Sequence, residues 1–180
     1  PTLETIMAAH GSGAVLHSRD QGIALLNIDV GGGTTKISLI VNGKIRATTA
    51  VNLGARLIAH DSTNTIVRLE KAGRRFLSDL GQNLDLGQNI SHDLKGRVAN
   101  RMARALFDAL MTGAAPWEEF FITAGLGELP SIGGVLFSGG VSEYIYSREA
   151  QAFGDLGPEL GRAIRREAER RSFNILDAGE

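Results

Sequence analysis

Asn27-Ile28-Asp29-Val30-Gly31-Gly32-Gly33-Thr34-Thr35-Lys36-Ile37-Ser38-Leu39-Ile40 decides the reading of this chain. Residues 23–30 form a near-continuous apolar run, as expected for a central strand buried on both faces. A glycine turn led by Asp29 follows, and then a second apolar strand over residues 37–41. Three consecutive glycines, Gly31, Gly32 and Gly33, remove every Cβ at the turn, so a polyphosphate can approach the backbone and be met by N–H groups. Asp29 stands at the strand end, where a carboxylate can hold Mg²⁺ through water, and Thr34 and Thr35 add hydroxyls. A hairpin without a ligand is the plainer alternative, but it needs neither three glycines nor an aspartate between apolar strands. A later stretch, Gly134-Val135-Leu136-Phe137-Ser138-Gly139-Gly140-Val141, is again a buried strand running into glycines. Alone it reads equally as a strand-to-helix turn relieving backbone crowding; paired with the first glycine turn, Ser138, Gly139 and Gly140 become candidate adenosine contacts. Together the two stretches predict an ATP-binding cleft.

Working outward, Asn42-Gly43 is the strongest hairpin signal in the chain, and a third strand rich in β-branched residues follows over residues 44–53. Three antiparallel strands therefore issue from the glycine turn. Upstream, residues 2–9 carry Leu3, Ile6 and Met7 at helical spacing, His10-Gly11-Ser12-Gly13 breaks the pattern, and residues 18–22 read as a polar turn. Downstream, residues 55–60 read as a short helix and residues 65–69 as a strand. Residues 71–89 are polar and repetitive and read as loop; about 70–92 is expected to be a small inserted subdomain or loop. The clearest helix spans residues 93–111, with Ser91 as N-cap and Gly113 as the residue past its end. A short helix over 116–121, a strand over 135–138, a helix over 153–171 and a strand starting at Phe173 complete the pattern. Helices packed on a sheet, with phosphate chemistry at strand–turn–strand points, make this an α/β domain.

Composition narrows the function classes. The chain has 180 residues and 43% hydrophobic content, enough for a substantial core. A net charge of −1 provides no bulk field for nucleic acid or an anionic membrane. Cysteine is absent, which excludes disulfides, thiolate zinc sites, Fe–S clusters and cysteine nucleophiles, and fits a reducing cytoplasm. No apolar run approaches the roughly 18 residues of a membrane span. The 23 glycines cluster at strand ends, which argues for turn chemistry. The sequence opens at Pro1 and its first residues resemble the inside of a domain, so a fragment of a longer protein is expected.

Asp29-Val30-Gly31-Gly32-Gly33-Thr34, the three-strand meander and Phe137-Ser138-Gly139-Gly140 resemble the actin/Hsp70/sugar-kinase ATPase superfamily. In that superfamily two similar domains close over ATP, each with a hairpin phosphate loop. The triple-glycine form looks like the second phosphate loop, and no first loop is present in this sequence. The resemblance thus implies an actin-like (ribonuclease H-like) domain, the second half of a complete ATPase, spanning residues 1–180. An ordered series narrows it further: Ala9-His10-Gly11-Ser12-Gly13-Ala14, the glycine turn, Asn52-Leu53-Gly54-Ala55-Arg56-Leu57-Ile58, Leu136-Phe137-Ser138-Gly139-Gly140-Val141-Ser142-Glu143, and Phe153-Gly154-Asp155-Leu156-Gly157-Pro158. This series is similar to the EutA family, the large reactivating factors of ethanolamine ammonia-lyase.

That resemblance implies a chaperone-like ATPase that exchanges damaged cobalamin for intact coenzyme in an adenosylcobalamin enzyme. ATP/ADP, Mg²⁺ and the lyase are the implied partners, without nucleic acid or membrane, and homo-oligomerisation is left open. It implies weak hydrolysis by the full-length protein, inactivity of this half alone, and a cytoplasmic location with a bacterial microcompartment association. Asp29 would serve magnesium and catalysis; Gly31, Gly32, Gly33, Thr34 and Thr35 would serve phosphate. One departure stands out. Many second phosphate loops carry an aspartate two residues after the threonine, where this chain has Lys36. A cation there either contacts phosphate or abolishes a water-positioning role, which argues against fast hydrolysis rather than against nucleotide binding.

Several residues keep two readings. Glu143 either reaches the nucleotide or occupies the first turn of a helix, where the dipole favours a carboxylate. Arg56 clamps either a phosphate or a domain interface. His10, His17, His60 and His92 lack metal-ligand spacing and read as surface or turn residues. The arginines between Arg162 and Arg171 alternate with Glu159, Glu167 and Glu169, as on a solvated face. Trp117, Phe120 and Phe121 read as a core anchor. Two rival functions remain: a small-molecule kinase of the same superfamily, which would need a catalytic carboxylate opposite the γ-phosphate, and a non-catalytic actin-like scaffold.

Overall fold

The computed structural model describes residues 2–112 and 117–177. Strands β1 (Ala24–Val30), β2 (Thr35–Val41) and β3 (Lys44–Val51) form the expected antiparallel meander. Asn42 and Gly43, at φ 50° and 74°, make the two-residue turn whose twist suits a hairpin. Strand β6 (Gly134–Ser138) runs parallel to β1 on its other side, and β7 (Ile175–Leu176) runs parallel to β6. Between β3 and β6 in sequence, β4 (Ile58–His60) and β5 (Ile66–Leu69) pair as a separate two-stranded ribbon. The main sheet has the order β3-β2-β1-β6-β7. The sheet is mixed, and helices pack on it as the α/β reading of the sequence expects.

Alternation divides the sheet's faces. Leu26, Ile28 and Val30 share one face with Ile37, Leu39, Val135 and Phe137, all buried in the larger core. Helices α4 (His92–Thr112) and α6 (Gly157–Arg170) cover that face. Val98, Met102 and Leu106 of α4 are buried, each contributing about 2 kcal/mol by removal of apolar area from water. Ser91 Oγ accepts the Leu94 N–H at 3.2 Å, as its reading as N-cap requires. Gly113 and Pro116 lie outside the described residues. The opposite face carries Leu25, Asn27, Asp29, Lys36, Ser38, Ile40, Leu136 and Ser138, and is covered by α1 (Thr2–Gly11) and α2 (Ala14–Gln21) through Ala9 and Ala14.

Four local expectations are corrected. Residues 18–22 are not a polar turn, because α2 runs through Gln21. Its buried side is only Ala14 and Ser18, and Ser18 Oγ donates to Ile23 O (2.7 Å) and accepts from Gly43 N (3.1 Å). A buried, satisfied serine looks polar in sequence. Residues 55–60 make a single 3₁₀ turn at Ala55–Leu57 and then enter β4. The stretch read as loop from residue 71 begins with α3 (Lys71–Asp79), held by Phe76 and Leu77. The Phe76 ring stacks on Phe120 at 4.9 Å between centroids, and Trp117 lies 5.8 Å from the Phe120 ring. The aromatic group is thus a core anchor, although only a 3₁₀ turn, Glu118–Phe120, forms there. Helix α5 (Ser142–Ile145) follows β6 and carries Glu143 in its first turn.

Candidate nucleotide site

The bend between β1 and β2 closes on itself through Gly31 N–H to Thr34 O at 3.0 Å. Its outer carbonyls are tied from one side: Ala55 N–H donates to Gly31 O (3.1 Å) and Arg56 N–H to Gly32 O (2.6 Å). A trans peptide points its N–H opposite to its C=O. With those two carbonyls held against residues 55 and 56, the N–H groups of Gly32 and Gly33 face the other way. Those amides and that of Thr34 have no partner among the described residues. Gly54 permits this anchoring, since a Cβ there would stand 2.5 Å from Gly32 O and 2.7 Å from Gly31 O.

The three glycines of the bend are under much weaker internal demand. None has positive φ. An added Cβ would meet Thr34 O at 3.2 Å from Gly31, the flexible Arg56 side chain at 3.2 Å from Gly32, and nothing within 4 Å from Gly33. Gly33 is exposed. The fold itself gives Gly33 no reason to lack a side chain.

Asp29 sits opposite Lys36 on β2 and Ser138 on β6. Its side chain is 16% exposed. Gly139, at φ 82°, turns the chain against it: a Cβ there would collide with Asp29 Oδ1 and stand 2.6 Å from Val30 O. Val141 N–H donates to Val30 O (3.2 Å), and Ser142 returns its N–H and hydroxyl to Gly139 O. The two glycine turns are therefore joined at the end of β1. Ser138 Oγ accepts from Asn27 Nδ2 (3.3 Å), and Asn27 Oδ1 accepts from Ser12 Oγ (2.8 Å).

Thr35 is placed differently from its neighbours. It is buried, and its hydroxyl donates to Leu53 O at 2.7 Å. It clamps the base of the bend to the exit of β3, whereas the half-buried Thr34 stays at the rim. Clefts open on both sides of the bend. One, of about 280 Å³, is bounded by Gly31, Gly32, Arg56, Gly140, Tyr144 and Phe153. Burial pushes the Tyr144 phenol up, so it stays protonated and donates to Gln151 O at 2.6 Å. The other, of about 420 Å³, lies towards α3 and includes Gly33, Thr34, Asn52, Arg68, Lys71 and Arg75. The described residues contain no group of three His, Cys, Asp or Glu able to hold a metal unaided.

The family model described as ethanolamine utilisation protein EutA matches residues 1–180. The chain belongs to the EutA family. Ethanolamine ammonia-lyase reactivase EutA of Salmonella typhimurium strain LT2 is 31% identical over 181 residues, covering 97% of this chain and 38% of that protein. The Escherichia coli K12 protein of the same name is 32% identical with the same coverage. This EutA-family chain thus spans about 38% of the length of the curated relatives it matches. Among solved structures, component A of the Acidaminococcus fermentans (R)-2-hydroxyglutaryl-CoA dehydratase is similar at TM-score 0.45 and 12% identity, covering 94% of this chain and 60% of that one.

Two features of this EutA-family site escaped the sequence reading. Gly54 stood within a matched motif without a role, and Glu4 was not connected to the site at all. The first had a signal in its position next to Arg56. The second had none, because only the packing of α1 on the sheet brings Glu4 to Lys36, 3.3 Å away. Among the described residues, no helix is long and apolar enough to cross a membrane.

Proposed function

We propose that this chain is the second, nucleotide-gripping half of a two-domain actin-like ATPase, within a reactivating factor that releases damaged cobalamin from adenosylcobalamin-dependent ethanolamine ammonia-lyase. The observation that carries the nucleotide reading is the bend itself. It holds three amides without a partner among the described residues beside the Asp29 carboxylate, and Gly33 lacks a side chain that its own fold would accommodate.

In this reading the N–H groups of Gly32, Gly33 and Thr34 donate to β- and γ-phosphate oxygens, in the manner of other backbone anion nests. Gly139 and Gly140 lie against the ribose or adenine, with Ser138 keeping their turn in place. One carboxylate together with nucleotide phosphates is a ligand set that magnesium commonly uses, so Asp29 fits as a partner through water. Bound there, magnesium would supply charge neutralisation of the polyphosphate. Thr35 acts from beneath, fixing the bend to Leu53. The residues around 70–92 form a small inserted unit beside the larger cleft.

Function then follows from differential affinity. ATP moves the protein between open and closed forms only in so far as it binds one better than the other. The closed form loosens the lyase, and the damaged cofactor leaves. Weak hydrolysis resets the cycle, in a cytoplasmic protein associated with the compartment that houses the lyase. The test is reactivation of inactivated lyase by the full-length protein with ATP, Mg²⁺ and free coenzyme. Wild type restores activity, and Asp29→Ala lowers the rate at least about tenfold, one charge-assisted contact being worth roughly 1.5–3 kcal/mol. Full recovery with Asp29→Ala, or none with wild type, overturns the proposal.

A further inference from the structure

Lys36 is the residue of the bend that the nucleotide reading leaves without a task. Its position is set by register. Lys36 pairs with Asp29 across β1 and β2, so both side chains leave the same face of the sheet. That face is covered by α1, which adds Glu4. Lys36 Nζ lies 3.8 Å from Asp29 Oδ2 and 3.3 Å from Glu4 Oε2.

The two carboxylates hold the ammonium unequally. Glu4 is 68% exposed, so its attraction is screened by water and salt, while Asp29 is 16% exposed and feels the cation through a less polarisable surrounding. At 3.8 Å the contact with Asp29 is an ion pair without a hydrogen bond. Lys36 thereby compensates Asp29 without being fastened to it. An ammonium on a four-carbon stem has three donors to redirect, and the polyphosphate of a nucleotide arriving at the neighbouring amides carries more negative charge than one carboxylate. Removing the cation leaves Asp29 and Glu4 as two uncompensated negative charges at the mouth of an anion site.

We propose that Lys36 is a resident counter-cation of the bend: it compensates Asp29 while the site is empty and turns its charge to the terminal phosphate when a nucleotide enters, so that the nucleotide is retained even without magnesium. This rests on the nucleotide reading above, and it concerns what the metal is needed for. Lys36 is a binding and positioning residue here, with no part in bond breaking.

The experiment is calorimetric titration of the full-length protein with ADP and with a non-hydrolysable ATP analogue, each in EDTA and in Mg²⁺. Wild type binds in EDTA within about tenfold of its affinity in Mg²⁺. Lys36→Gln loses about tenfold or more in EDTA and less than about threefold in Mg²⁺, while Lys36→Arg recovers most of the loss, a tenfold change being one contact's worth of about 1.4 kcal/mol. Glu4→Gln moves the other way, tightening metal-free binding about two- to threefold as one opposing charge is removed. Equal Mg²⁺ dependence in wild type and Lys36→Gln overturns the role of Lys36 and leaves the nucleotide reading standing. No binding by wild type in either condition overturns that reading itself. Should Lys36→Gln fail to fold, Glu4→Gln decides alone: unchanged or weakened metal-free binding refutes the inference.

Discussion

Gly54→Ala tests the anchoring of the bend most directly. Gly54 has φ −174°, extended backbone open to any residue, so alanine suffers no dihedral strain there and contact is the whole effect. Its Cβ would stand 2.5 Å from Gly32 O, 2.6 Å from Gly32 C and 2.7 Å from Gly31 O, all of them backbone atoms. Non-bonded contacts are comfortable near about 3.5 Å, so the two segments must part by roughly 1 Å. That movement lengthens the bonds from Ala55 and Arg56, now 3.1 and 2.6 Å, beyond useful range. Overpacking costs about 1–3 kcal/mol and two lost hydrogen bonds about 1 kcal/mol each. The sum, partly overlapping, is about 3 kcal/mol, which at about 2–4 °C per kcal/mol lowers Tm by roughly 6–12 °C. The freed carbonyls also let the amides of Gly32 and Gly33 turn away, and each charge-assisted bond lost weakens nucleotide binding at least about tenfold. Thermal unfolding and calorimetry with ADP on the same preparation measure both. A Gly54→Ala protein with unchanged Tm and an affinity within about twofold of wild type would refute the reasoning.

Two further outcomes are expected. Gly33→Ala meets nothing within 4 Å and should leave stability within about 0.5 kcal/mol, yet it should weaken nucleotide binding because the new methyl would stand on the proposed phosphate-binding side of the bend; thermal unfolding set beside calorimetry separates the two. Glu167 gives a pH dependence. It is buried on α6, and its hydrogen bonds to Arg170 and Arg171 hold its pKa down to about 2 against an ordinary 4.5. A folded-state pKa below the unfolded value means the unfolded chain takes up the proton more readily, so the contribution is fully present above about pH 4.5 and disappears as pH falls towards 2. The full contribution is about 3 kcal/mol, of which about 2 kcal/mol is lost by roughly pH 3, and urea unfolding at about pH 6 and about pH 3 should show that fall in wild type and not in Glu167→Gln.

Much of the sheet was legible because its signals are local. The run ending in Asp29, the glycine bend and Asn42-Gly43 specify three strands within a few residues of one another. Helix α2 was hidden because its two buried residues, Ala14 and Ser18, are small or polar, and its amphipathic contrast is correspondingly faint. Helix α3 was hidden for the opposite reason: Phe76 and Leu77 are adjacent rather than spaced, and five of its nine residues are charged or hydroxylic. At the site, the glycine bend was legible as a turn, while the two threonines, alike in sequence, part in the structure: Thr34 stays at the rim and Thr35 is buried. Thr35 shares parity with Ile37 and Leu39, which already points it to the core, while Lys36 shares parity with Ser38 and Asp29 and faces α1. What sequence could not supply is the approach of residues distant along the chain, as when Gly54 closes on Gly32 or Glu4 reaches Lys36.

The tethering of the bend reaches further than the bend. Ala55, whose N–H grips Gly31, receives the Leu156 N–H on its own carbonyl at 3.0 Å, immediately before α6 begins. The cradle is consequently stiff before any guest arrives, and filling it exacts little ordering entropy. A rigid cup cannot signal occupancy by folding around its contents. A push on it would pass, as one piece, to α6 behind it.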